Sequence, residues 1–450
     1  MPEYLKNAAF PLMKDPRILI IGQPFNNNTG GGITQTNLFK GWKREELAVV
    51  CTVHMFNNLN LEICNNYYLL GSDEYKWSFP LNLFQRKVVS GPVRHFPAGD
   101  NSKRITQSGK ESFRHRLLFK CFYPFLEHIG LIHYISRIEL SSGLRKWILN
   151  YNPDVVYAQA SSRETVLFCT SVQEFIKKPM VFHVMDDWPS TISEKGILKN
   201  YWKKVIDMEF RVLLDKCSLL LSISQFMTEE YMVRYGKKFT TFHNPIDLVF
   251  WKSGQKKDYH LNTKPYVLYA GRIGTGIKDC LETLAKAIEL YNKTAIQSLD
   301  FVLQTKETPD WAQHYSCVKH KLLVPYKELP IVFGEADLLF LPYDFSEESI
   351  KFIRYSMPTK APEYMISGTP VIVFAPSDTA IVKEAEKHKW AKLITENDAV
   401  QLSIAIDELI SNEDERRTIG ETAIDYAERN FNSEKVRMNF RKSITRVLEV

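Results

Sequence analysis

Tyr269-Ala-Gly-Arg-Ile-Gly-Thr-Gly-Ile-Lys278 reads as the end of a strand, a glycine-rich loop and the start of a helix. Gly271, Gly274 and Gly276 let the backbone approach a ligand closely, and Arg272 and Lys278 set two cations across the same loop. A lysine in a helix's first turn opposes the macrodipole, which favours anions there. A diphosphate seated in the loop removes that conflict. A second stretch, Ser356-Met-Pro-Thr-Lys-Ala-Pro-Glu363-Tyr-Met-Ile-Ser-Gly368-Thr-Pro-Val-Ile372, reads as loop, helix and strand. Pro358 and Pro362 suit the first turn of a helix and Gly368 its C′ position. Free amides at the helix start, around Ser356, Met357, Thr359 and Lys360, form a ready anion site. Glu363 lies about one turn in, where a carboxylate by itself satisfies the helix dipole.

Outward from these loops the chain alternates strands with helices. Arg17-Ile-Leu-Ile-Ile-Gly22 is an apolar run ended by glycine, the pattern of a buried parallel strand. Further strands are expected at Val155–Ala158, Pro179–His183 and Ser218–Ser222, with helices at Thr34–Trp42, Arg163–Ile176 and Tyr201–Leu214. The alternation pauses near Asn244-Pro-Ile-Asp247, and the charged stretch Lys252–Lys264 reads as a linker. A second series follows: strands at Tyr266–Ala270, Phe301–Leu303, Leu338–Leu341 and Pro370–Phe374, framed by helices at Asp279–Tyr291 and Glu413–Asn430. The expected class is α/β, with two tandem Rossmann-like, doubly wound parallel-sheet domains facing a cleft. Their boundaries are placed at residues 1–248 and 249–431, with a closing helix at 432–450.

A chain of 450 residues is too long for one ordinary core, which agrees with two domains. Hydrophobic residues make up 44% and charged residues 24%, values that exclude a disordered chain. The seven cysteines are scattered, without Cys-x-x-Cys or metal-ligand spacing, and suggest a reducing compartment. The opening Met-Pro-Glu-Tyr-Leu-Lys-Asn carries no charged-then-apolar leader, and no run of about 18 apolar residues occurs. A cytoplasmic protein is expected. The net charge of +6 is unevenly placed: between Leu81 and Asn150, twelve Lys or Arg face only four Asp or Glu. Within that window Phe113-Arg-His-Arg-Leu-Leu-Phe-Lys-Cys-Phe-Tyr-Pro-Phe125 interleaves cations with aromatics. Contact with an anionic membrane surface is the expected use, each Lys or Arg contributing about 1 kcal/mol. A solvated helix face is the plainer alternative. No nucleic-acid-binding module accompanies the basic residues.

The two loops together resemble the nucleotide-sugar half of glycosyltransferase family 4, the retaining enzymes of the GT-B fold. The likeness runs from Arg17 to Val450, is strongest from Tyr269 to Ile372 and weakest from Asn60 to Leu149. It implies that Arg272 and Lys278 hold the donor's diphosphate and that Glu363 holds its ribose. It also implies that Gly31 and Gly32, in Gly30-Gly31-Gly32 after the first strand, face the donor phosphates from the acceptor domain. By the same likeness, His183 lies beside the reacting carbon as a sugar or acceptor contact, so that His183 and Glu363 are the catalytic candidates. A buried, hydrogen-bonded imidazole is the ordinary fate of such a histidine. Asp186 and Asp187 follow it and suit the cap of the next helix. The chain departs from the family at one place. The usual first glutamate of the motif falls on Tyr355; Asp344, Glu347 and Glu348 either replace it or form a solvated acidic loop.

The expected activity is transfer of a sugar from a nucleoside-diphosphate-sugar to an acceptor hydroxyl with retention. The acceptor is a lipid-linked or surface glycan in polysaccharide or glycoconjugate biosynthesis. No metal or other cofactor is expected, because Arg272, Lys278 and a helix terminus neutralise the leaving group. The expected partners are the nucleotide sugar, the glycan acceptor and, through residues 81–150, the inner membrane face. The alternatives are a silent GT-B protein that binds nucleotide sugar or glycan, and a nucleotide-sugar epimerase.

Overall fold

All four side chains of the strand Ile18–Ile21 are buried, as a parallel sheet covered on both faces requires. The computed structural model describes residues 15–52, 55, 59–79, 81–85, 87–93, 123–192, 196–274 and 276–449. They form two compact units, one from Met1–His183, Ser193–Leu219 and Arg441–Val450, the other from Val184–Ile192 and Leu220–Phe440. Most of the basic, aromatic stretch at 94–122 lies outside the described residues.

In the first unit the strands run in the order Met180–Val184, Val155–Ala158, Ile18–Ile21, Leu47–Thr52, Tyr67–Leu70 and Gly91–Pro92. All pair in parallel except the last. The order reverses beside Ile18–Ile21, so the loops after Ile21 and Ala158 flank a topological switch point, the usual ligand position in such sheets. The helices obey their caps. Ser162 Oγ accepts from the Thr165 amide to start Arg163–Ile176, and a left-handed Lys177 ends it.

The second unit holds a six-stranded, fully parallel sheet ordered Val318–Lys321, Asp300–Gln304, Tyr266–Ala270, Leu338–Pro342, Val371–Phe374, Lys392–Ile394. Its reversal lies between Tyr266–Ala270 and Leu338–Pro342. The connections that follow Ala270 and Pro342 therefore leave the sheet at its switch point. The helix Lys278–Asn292 buries Leu281, Leu284 and Ile288 against Phe301 and Phe340, each such side chain contributing about 1.5–3 kcal/mol. Arg416, a buried cation, donates to the carbonyls of Leu409, Ile410 and Tyr259 and so satisfies the end of the helix Ala399–Ser411.

The division of the chain differs from the boundary expected at residue 248. The strands Leu219–Ser222 and Phe239–Thr241, with the helix Gln225–Tyr235 between them, fall almost wholly in the second unit. Hydrogen bonds from Ser224 to the Tyr355 carbonyl and from Asn244 to the Thr359 carbonyl bind this segment there. The charged stretch Lys252–Lys264 is no free linker either. Lys256 N donates to the Ser367 carbonyl, Tyr259 is buried, and Asn262 is held by Asp337.

Candidate functional site

The strand Tyr266–Ala270 delivers the chain to Gly271, whose φ of +146° only glycine adopts comfortably. A Cβ there would run into the Lys360 ammonium, so the bare backbone is what lets that cation settle over the strand's end. Lys360 Nζ lies 4.5 Å from the centre of the Tyr269 ring and 3.4 Å from its hydroxyl. The same hydroxyl donates to the Arg272 carbonyl at 2.6 Å and fixes the next turn of the loop. Farther on, Gly276 O accepts from the Asp344 amide at 2.8 Å, tying the loop to the one after Leu338–Pro342. Arg272 and Lys278 are exposed, and among the described residues neither forms an ion pair. Lys278 occupies the first helical position of Lys278–Asn292, one residue before the expected start at Asp279.

The helix Lys360–Ser367 begins at Thr359 and ends on a left-handed Gly368 (φ +76°), as the sequence suggested. Its N-terminus is less generous to an anion than expected. Pro362 has no amide hydrogen, and the Ala361 amide already donates to the Pro358 carbonyl. The Lys360 side chain supplies positive charge in their place. Burial lowers Lys360 to about 8 against the opposing pull of Glu363. Burial likewise raises Glu363 to about 7, with Lys360 pulling it down, and the Tyr326 hydroxyl lies 3.5 Å from its carboxylate. Met357 is buried, Thr359 is half-buried, and the Ser356 hydroxyl lies 3.0 Å from Asp186 Oδ1 and 3.3 Å from the Phe352 carbonyl.

Of the carboxylates considered in place of the missing glutamate, Asp344 is engaged in structure: Oδ1 accepts from the Cys280 amide in the first turn of Lys278–Asn292. Glu347 and Glu348 are exposed in the first turn of Glu347–Ile353, where they complement the helix dipole. Tyr355 packs its ring on Phe226 at 5.4 Å and under the Arg234 guanidinium at 5.5 Å. The helix after Asp187 corrects the expected capping role. Asp187 makes no side-chain cap there; its carboxylate takes the Tyr231 hydroxyl, Arg234 and the Ser190 hydroxyl instead.

In the first unit, Gly30-Gly31-Gly32 is not a loop. The helix starts at Gly30, four residues earlier than expected, because Thr29 caps it by accepting from the Gly32 amide at 3.1 Å. Gly32 is small of necessity, since a Cβ would collide with Asn26, whereas one on Gly31 would meet Gln23 at an ordinary 3.4 Å. His183 is buried, with Nδ1 2.7 Å from the Tyr157 hydroxyl. From there a buried polar chain runs on: Gln159 Nε2 donates to both the Tyr157 hydroxyl and Gln35 Oε1, and Gln35 Nε2 donates to the Gln23 carbonyl. A hydrogen-bonded chain thus links His183 to Gln23, beside Gly31. Sequence reading missed Tyr157, Gln159, Gln35 and Gln23, though polar Gln159 immediately after Val155–Ala158 was a signal in plain view.

Residues 264–412 match the family model described as Glycosyl transferases group 1. No curated protein sequence matches the chain. Among solved structures, sucrose-phosphate synthase from Thermosynechococcus elongatus superposes with a TM-score of 0.59 at 13% identity, covering 96% of this chain and 99% of that one. Anabaena HepE in complex with UDP-glucose gives 0.56 at 13% identity, covering 95% and 99%. An α,α-trehalose-phosphate synthase (UDP-forming) from Burkholderia vietnamiensis gives 0.55 at 11% identity, also covering 95% and 99%. Residues 264–412 of the second unit are thus similar to group 1 glycosyltransferases, and the fold is that of the GT-B glycosyltransferases.

Proposed function

We propose that the protein is a retaining glycosyltransferase that moves a sugar from a nucleoside-diphosphate-sugar to an acceptor hydroxyl. One observation carries this reading: the Lys360 ammonium seated over Gly271 at the sheet's switch point, with Arg272 and Lys278 left uncommitted on the same loop. Three cations, two of them with no carboxylate partner among the described residues, suit a diphosphate. The group 1 match over these residues and the UDP and UDP-glucose held by HepE support the same donor class.

In this reading Arg272, Lys278 and Lys360 stabilise the charge that develops as the bond from sugar to diphosphate breaks, with no metal required. The acceptor oxygen forms its new bond on the face the diphosphate leaves, and its proton passes to the departing diphosphate oxygen. Glu363 holds the ribose. Gly31, Gly32 and His183 are assigned to the phosphates and to the sugar or acceptor by family likeness. The acceptor is a lipid-linked or surface glycan, and the basic window at 81–150 meets an anionic membrane from the cytoplasmic side. Among the described residues no helix is long and apolar enough to cross a membrane.

A thermal-shift screen against UDP, GDP, dTDP and CMP tests the donor site. One diphosphate should stabilise the protein, and Arg272→Ala and Lys278→Ala should remove the effect; no shift with any of them in folded protein would end the proposal. The packed Tyr355 ring favours a second reading, a nucleotide-sugar-binding protein without transfer. Nucleotide binding with neither hydrolysis nor transfer would decide for it.

A further inference from the structure

Asp186 and Asp187 are neighbours in sequence with different engagements. Asp187 is saturated by Tyr231, Arg234 and Ser190. Among the described residues Asp186 accepts one hydrogen bond, from the Ser356 hydroxyl at 3.0 Å on Oδ1, and Oδ2 accepts none. Burial also raises its affinity for a proton, with Ser356 opposing that rise.

The surroundings of Asp186 lead back to the diphosphate loop by short steps within the second unit. It interacts with Tyr343, the first residue past the carboxyl end of Leu338–Pro342. Its partner Ser356 donates its amide to the Ile353 carbonyl. Ile353 in turn packs 3.5 Å from where a Gly276 Cβ would stand, and Gly276 belongs to the Arg272–Lys278 loop. Tyr355, beside Ser356, brings no acid: its carbonyl is held by Ser224 and its ring by Phe226 and Arg234.

We propose that Asp186 binds a hydroxyl of the transferred sugar, supplying the carboxylate that Tyr355 does not; this rests on the donor reading above. A sugar hydroxyl donating to a carboxylate makes a charge-assisted bond, stronger and more directional than one to a neutral oxygen. The Ser356 hydroxyl has a single proton and two acceptors in range, Asp186 Oδ1 and the Phe352 carbonyl at 3.3 Å. It can turn to Phe352 when a sugar takes Asp186, so no buried donor is stranded. Asp186 then fixes the sugar while the cations hold the diphosphate.

Calorimetric titration of the full chain with UDP, UDP-glucose, GDP and GDP-mannose separates the two contributions. The matching nucleotide sugar should bind more tightly than its diphosphate. Asp186→Asn and Asp186→Ala should remove that increment, about tenfold for one charged hydrogen bond, and leave the diphosphate affinity within about twofold. Ser356→Ala breaks the same loop contact but should keep most of the increment. Two results would overturn the assignment: an intact increment in Asp186→Asn, or Asp186 variants that weaken the diphosphate itself, the mark of a loop anchor. A wild-type chain that binds a diphosphate but gains nothing from the sugar removes this assignment alone. One that binds no diphosphate removes the donor reading with it.

Discussion

The two glycine-bearing segments, at 30–32 in the first unit and 271–276 in the second, use a missing side chain in opposite ways. Gly30-Gly31-Gly32 is ordinary right-handed helix, capped by Thr29, and its surroundings are neutral amides and hydroxyls from Gln23, Gln35, Gln159 and Tyr157. Gly271 is left-handed at +146°, and the space its Cβ would fill belongs to a cation. The first segment needs small size at one position. The second needs a backbone conformation and room for the Lys360 ammonium together.

That contrast is broken most forcefully at Gly271. Gly271→Ala combines backbone strain with collision against Lys360 Nζ, and nucleotide binding should fall by at least about 100-fold. Titration with the diphosphate found by thermal shift measures it. A loss below tenfold would mean the Lys360 position is not what the glycine serves. Arg272→Ala and Lys278→Ala come next, each costing about tenfold in affinity, since an exposed cation on a phosphate contributes on the order of 1–1.5 kcal/mol. Both losses should shrink as salt rises, because solvent-exposed charges are screened.

Lys360 adds a pH signature. Its ammonium persists only below about 8 in the free protein. Diphosphate affinity should therefore weaken as pH rises through that value. An anion stabilises the charged form, so binding at pH 8.5 should take up a proton, detectable by calorimetry in buffers of different ionisation enthalpy. Lys360→Met should bind weakly at every pH and take up none.

Much of the second unit was legible because its strands are apolar runs ended by turn residues. Tyr266–Ala270 and the helix Glu413–Asn430 have the bounds the sequence suggested, and Lys278–Asn292 is longer by one residue at each end. The edge strands Val318–Lys321 and Lys392–Ile394 were not legible. Val-Lys-His-Lys and Lys-Leu-Ile carry charge because each has a neighbour on one side only, so the hydrophobic signal is halved. In the first unit the expected helix starts at Thr34, after the triglycine; the Thr29 cap and the Asn26 packing draw the glycines into it in spite of their low helix propensity. Arg272, Lys278 and Glu363 were visible as charges in a recognisable string. Tyr157 and Gln159 were not, because their partners lie 26 and 124 positions away.

The charged surroundings of Gly271 should also be visible in stability. Glu363 carries a folded-state value of about 7, against 4.5 for an unperturbed glutamate carboxyl. The folded chain therefore holds a proton that the unfolded chain has released between those values. The sign follows: this stabilisation is full below about 4.5 and is lost as pH rises through about 7, up to about 3 kcal/mol with the pull of Lys360 already included. Glu363→Gln should flatten the fall in denaturation midpoint over that window. An unchanged slope would show that Lys360 already neutralises the carboxylate.

The smallest effect, and the sharpest discriminator between the two segments, is Gly31→Ala. A Cβ there meets Gln23 at an ordinary 3.4 Å, and the backbone is already helical. Alanine restricts the unfolded chain more than glycine does, so stability should rise by about 0.5 kcal/mol, read as a small increase in melting temperature. If this helix start serves packing alone, nucleotide affinity stays unchanged. If its free first-turn amides take a donor phosphate, the added methyl obstructs that approach, and affinity falls while stability rises. Opposite signs in the two measurements would give Gly31 a ligand role in spite of its helical geometry. An unchanged affinity would leave anion binding to the Gly271 loop and the three cations around it.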